Sequence, residues 1–184
     1  LGTTWKYYVS TGQNFDDITP IRATTTNGIT FAAVANTISA GISATATTIP
    51  LTSSSNFPSP GVIQIDSETI TYGAISGNNL IGATRGAEST TAATHSSSAA
   101  VLCATITATD SSHGCVVDDF VTISGAVSLG GLVTAAVLNQ EYQITSVPSA
   151  NSYTIKAKDT SDDTVFANSS DSGNGGSGVD GAYQ

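Results

Sequence analysis

The stretch IPLTSSSNFPSPGVIQIDSETITYGAISGNNLIGATRG, residues 49–86, decides the fold class. Short runs of Val, Ile and Thr alternate in it with Gly, Pro and Asn, and no reacting group recurs. Successive side chains of a strand face opposite ways, so Ile63 and Ile65 are predicted to point one way and Gln64 and Asp66 the other. An Asp66-Ser67 turn follows, and Ile70 and Tyr72 repeat the alternation. Phe57-Pro58-Ser59-Pro60-Gly61 marks the entrance to this hairpin. Ser76-Gly77-Asn78-Asn79 marks the next turn, with residues that tolerate positive φ.

Working outward, the whole chain of 184 residues carries the same signature. Leu, Ile, Val and Phe make up about 22% of it, just above the level below which highly charged chains stay disordered. The 25 Ser, 28 Thr and 18 Gly leave a surface of hydroxyls and backbone rather than charge. Thr, Val and Ile suit a pleated sheet and are poor helix formers, while Leu is scarce and Met absent. The expected fold is all-β, with two small β-sandwich or β-barrel-like units.

The predicted organisation is an outer β-domain formed by residues 1–37 and 103–168, split by an inserted β-module at 38–102. Residues 169–184, opening on SSDSGNGGSG, read as a flexible Gly/Ser-rich linker and C-terminal segment. The second unit orders its parts like the first, with Gly114 answering Gly61 and Glu141 answering Glu68, which suggests a weak internal repeat. Units of this size bury little of their unfolded surface and are expected to lean on one another or on neighbouring subunits. The chain begins at Leu1 without a Met or a signal-like segment, so the expectation is a piece of something longer.

Five basic residues, Lys6, Arg22, Arg85, Lys156 and Lys158, stand against fourteen acidic ones, for a formal charge of −9. Nothing here tracks a phosphate backbone, an anionic membrane would repel the chain, and no apolar run reaches a spanning length. A soluble protein without nucleic-acid or membrane partners is expected.

Chemistry finds little purchase. His95 and His113 lack the spacing of a metal pair, and His113 is expected to shape a turn or cap a strand end. Serines are too many for a triad match to mean anything, and no Gly-x-Ser-x-Gly elbow exists. Asp16-Asp17, Asp118-Asp119 and Asp162-Asp163 could offer oxygens to Ca²⁺, but adjacent strand side chains diverge. Asp66 and Glu68 have the residue types of a glycosidase pair but no aromatic platform around them. Neither catalytic residues, metal nor cofactor is expected. Cys103 and Cys115 could staple a hairpin-like excursion, against the alternative of two buried thiols. Trp5, Tyr7 and Tyr8 are candidate interface anchors, against simple core packing.

Phe57-Pro58, Gly61, the run Ile63-x-Ile65-x-x-Glu68-x-Ile70-x-Tyr72, Arg85-Gly86, His95 and Val101 together resemble a small module met repeatedly in virion proteins of tailed bacteriophages. The flanking WKYYVSTG, DDFVTISGAVSLGG, LNQEYQITSVPSANSYTI and DSGNGGSGVDGAYQ resemble parts of large tail-associated structural proteins of marine and environmental phages. The resemblance implies a non-enzymatic virion component, in the tail as a nozzle, hub or fibre-attachment scaffold, assembled in the host bacterial cytoplasm. It offers no catalytic residues, and its partners would be other virion proteins and copies of the chain itself. A bacterial cytoplasm favours reduced thiols at Cys103 and Cys115. The alternatives are a receptor-binding adhesin or tail-fibre domain touching a host surface receptor, and a bacterial surface-filament subunit.

Overall fold

The computed structural model describes residues 28–184, so Trp5, Tyr7, Tyr8 and Asp16-Asp17 lie outside the described residues. Within them the fold is nearly all-β, with four antiparallel sheets and one short helix. Two sheets enclose each of two hydrophobic cores.

The hairpin read from the sequence is present as β4 (Gly61–Ile65) and β5 (Glu68–Tyr72). Their register sets Ile63 against Ile70 and Gly61 against Tyr72, with Asp66 turning the chain at φ 53°. Ile63, Ile65, Ile70 and Tyr72 are all buried. A side chain at Gly61 would force the buried Tyr72 ring to move, because a Cβ at that position would sit 2.3 Å from the Tyr72 hydroxyl oxygen. The alternation that carries Ile70 and Tyr72 inward also carries Glu68, two residues before Ile70, into the same interior.

Around this hairpin stand β2 (Ala35–Thr37), β8 (Thr84–Ala87) and β9 (Ala100–Cys103), in the sheet order β2-β9-β4-β5-β8. A smaller sheet of β3 (Thr48–Pro50), β7 (Asn79–Ile81) and β6 (Ala74–Ser76) covers the core. The predicted turn between β6 and β7 is a two-residue one, with Gly77 at φ 55° and Ser76 opposite Asn79.

The second core has β1 (Thr30–Ala32), β10 (Thr105–Thr109), β14 (Ser152–Lys156) and β13 (Ser146–Ser149) in the order β1-β10-β14-β13. Facing it are β12 (Glu141–Gln143), β11 (Phe120–Ser124) and β15 (Asp180–Tyr183), in the order β12-β11-β15. The helix α1 (Ala135–Leu138) closes one end, its first turn capped by the Thr134 hydroxyl accepting from the Val137 amide.

Two sequence expectations give way. Residues 169–184 are not a free linker: β15 pairs with β11, and Val179 and Tyr183 are buried in the core. The glycines serve close packing, since a Cβ on Gly181 would lie 2.6 Å from the Ile29 methyl. The repeat also fails in detail, because the sheets differ in strand number and order and Glu141 is exposed where Glu68 is buried.

The chain passes between the cores twice, at Ala33-Val34 and at Ala104. These passes are adjacent: the Cys103 amide donates to Val34 O at 3.3 Å. An insert whose ends meet needs nothing from its host to close its loop. A fragment spanning residues 34–103 should therefore fold cooperatively by itself, giving a sigmoidal urea transition and dispersed amide resonances. A featureless spectrum would show that its core depends on the rest of the chain.

Candidate functional site: a buried carboxylate clasp

Glu68 is 1% exposed and sits at the start of β5. One carboxylate oxygen accepts from Arg85 Nε at 2.8 Å and from the Gly86 amide at 2.9 Å. The other accepts from Arg85 Nη2 at 2.7 Å, the Ala93 amide at 3.0 Å and His95 Nε2 at 2.8 Å. Five donors thus occupy both oxygens.

Local structure explains how each donor arrives. Arg85 and Gly86 lie on β8, the neighbour of β5, and Gly86 adopts φ 62° where a Cβ would press on Thr90 O at 3.0 Å. His95 is fixed through its backbone by paired bonds with Ile42, at 2.9 and 3.1 Å. Its other ring nitrogen, Nδ1, lies 2.7 Å from Asp66 Oδ2 at the hairpin turn. With a carboxylate facing each ring nitrogen, both bonds are made when both nitrogens carry a proton. Arg85 also donates to Ser43 O and, from Nη2 at 2.6 Å, to Ala93 O. One carboxylate therefore ties β5, β8, the 88–95 loop and the chain near Ser43.

Burial by itself would raise the Glu68 pKa. The guanidinium of Arg85, the Ala93 amide, His95 and the Gly86 amide outweigh that and bring it down to about 2. The group is an ionised anchor. It has no lone pair left to take a substrate proton, and His95 lies between it and Asp66, which closes the paired-carboxylate reading.

The other sequence candidates are scattered. Cys103 and Cys115 are not in a disulfide and belong to different cores, so the hairpin staple does not form. Cys103 is fully buried, its thiol donating to Thr105 O at 3.4 Å, and burial pushes its pKa up to about 12. Cys115 Sγ lies 2.7 Å from His113 Nδ1, and His113 Nε2 lies 3.2 Å from Ser149 O. That imidazole accepts from the Cys115 amide at 3.1 Å and packs edge-on against Tyr153, with ring centroids 5.3 Å apart.

Asp118 accepts from Gln143 Nε2 at 3.3 Å, Asp119 from the Val116 amide, and Asp162 pairs with Lys158 at 2.8 Å. No cluster of three or more His, Cys, Asp or Glu suited to a metal ion occurs among the described residues.

Two buried acids escaped sequence reading. Asp171, inside the supposed linker, accepts from the amides of Gly131, Leu132, Val133 and Asn168 and knots two loops together. Asp110 accepts from the Tyr183 hydroxyl and so holds β15 down. Glu68 was expected to flank the hairpin turn; strand alternation instead carries it inward with Ile70, and its donors Gly86 and Ala93 are backbone amides that left no side-chain signal.

The chain matches no protein-family model, no curated protein and no solved structure.

Replacing Glu68 with Gln should cost about 3–5 kcal/mol, because the Arg85 guanidinium is left buried without its counter-charge. Because its folded pKa lies below the ordinary value of 4.5, Glu68 supplies stability that is complete above about pH 4.5 and lost as the pH falls towards about 2. The gap between wild type and Glu68→Gln in urea unfolding should be widest at neutral pH and narrow through that window. A gap that stays constant with pH would contradict the ionised anchor. Both thiols should resist a disulfide reagent in the folded protein and react on unfolding.

Proposed function

We propose that this chain is a non-enzymatic structural component of a tailed-bacteriophage particle, stationed in the tail as a nozzle, hub or fibre-attachment scaffold. One observation carries the reading. Glu68, Arg85-Gly86 and His95, which give the sequence its likeness to virion modules, are joined to one another in the interior. Gly61 and Tyr72 are spent in the same way, directly opposed across the hairpin. A recurring pattern whose polar members all serve to fasten a module is a pattern for making a fold, as a particle built from many rigid parts requires.

The composition agrees. Sheets faced with Ser and Thr present hydroxyls that can pair with a neighbour's backbone, and the net charge of −9 keeps unassembled copies apart in solution. Partners on this reading are other virion proteins and further copies of the chain. A second reading, a receptor-binding adhesin, draws on the exposed apolar residues Val116, Val117 and Phe120, which could touch a host surface.

Cryo-electron microscopy of particles carrying the protein separates the two. The scaffold reading expects closed rings whose symmetry follows the tail, with neighbours joined along sheet edges. Protruding trimers with residues 116–120 at the tip would overturn it in favour of host adhesion.

A further inference from the structure

We propose that the outer face of the β12-β11-β15 sheet is a docking surface for a basic protein segment that brings its own apolar residue to Phe120. Strand alternation divides this sheet cleanly. Val121, Ile123, Tyr142 and Tyr183 enter the core, and Phe120, Thr122, Glu141 and Gln143 are turned out and exposed. The register places Phe120 opposite Gln143 and Thr122 opposite Glu141. On the other side Gln184 bonds back to Phe120 through both main-chain groups.

Phe120 is 41% exposed, and just before it the Val116–Asp119 turn leaves Val116 58% and Val117 49% exposed. These are three of the five exposed large hydrophobic residues among the described ones, gathered within five positions of sequence. Isolated exposed apolar residues need no explanation, but a cluster beside an open sheet face is the composition of a contact centre.

Charge selects the occupant. The face carries the carboxylates of Glu141 and Asp118, which accept from the neutral side-chain amides of Gln184 and Gln143. The basic residues among the described ones are already paired with acids: Arg85 with Glu68, Lys156 with Glu88, and Lys158, whose Nζ lies 6.0 Å from the centroid of the core-facing Tyr142 ring, with Asp162. A second copy of the chain would bring the same acidic face to this one and be repelled. A segment with Lys or Arg flanking an apolar side chain meets both features, the carboxylates of Glu141 and Asp118 and the apolar Phe120 with Val116 and Val117 just before it.

Size sets the strength. Three strands about 4.8 Å apart, three, five and four residues long, cover about 200 Å², roughly a quarter of what one partner contributes to a stable interface. Each contact is therefore weak, and tight binding would come from many copies displayed together. The inference does not depend on the virion reading, since it concerns a face of the folded chain.

The test uses the full chain, isotope-labelled, titrated with a short peptide of alternating Lys and Leu and, separately, with its Glu and Leu counterpart. The proposal expects the basic peptide to shift the amides of Phe120, Thr122, Glu141 and Gln143. Raising the salt from about 50 to about 300 mM should weaken that binding several-fold. Glu141→Lys and Phe120→Ser, both at exposed positions that leave the core intact, should each weaken it by about fivefold or more. Equal binding of the acidic peptide, or shifts confined to other surfaces, would overturn the proposal. The same shifts appearing without peptide as protein concentration rises would assign the face to a second copy instead. Salt-independent shifts with a neutral oligosaccharide and none with the basic peptide would assign it to a glycan.

Discussion

A carboxylate taken out of water is among the costliest things a small protein can bury, and Glu68 is buried with both oxygens fully used. Its desolvation is offset because the donors are of three kinds: a guanidinium, an imidazole and two backbone amides. Each kind solves a separate problem. Arg85 balances the charge, His95 joins it to Asp66 at the hairpin tip, and the amides of Gly86 on β8 and Ala93 in the loop would otherwise be orphaned. The loop from Ala87 to Ala99 has few large apolar side chains of its own. It is held by polar groups because it has little apolar surface to bury.

The same device recurs in the second core with different groups. Asp171 gathers four loop amides and Asp110 takes the Tyr183 hydroxyl, so the Gly/Ser-rich end of the described chain is fastened by acids as the 88–95 loop is. A chain rich in Ser, Thr and Gly has little apolar surface with which to order its connections, and a buried carboxylate whose oxygens are hydrogen-bonded provides a fixed point instead. The negative balance of the composition is thus partly structural: Glu68, Asp110 and Asp171 are all inside.

Strand positions were legible from period-two alternation wherever one face of a strand is dry, as at Ile63, Ile65, Ile70 and Tyr72. Turns were legible where backbone needs required particular residues, as at Asp66 and Gly77. The end of the chain was misread because glycine serves two purposes. In an unattached segment it gives freedom; beside Ile29 and Phe31 it gives clearance, and local composition does not distinguish these. The clasp was legible only in part. Glu68, Arg85 and His95 are separated by 17 and 27 residues, and no local rule announces that they meet. The cysteines were twelve residues apart in sequence yet fall on opposite sides of the passage between cores, a division that spacing does not reveal.

Hydrogen exchange at the Gly86 and Ala93 amides tests the central claim, that one buried carboxylate holds the inserted module's loops, most directly. Both amides donate to Glu68, and the account predicts that they exchange as slowly as those of the β4-β5 hairpin, through the same cooperative opening. Exchange of Ala93 at the rate of an exposed loop while β4 and β5 remain protected would contradict it.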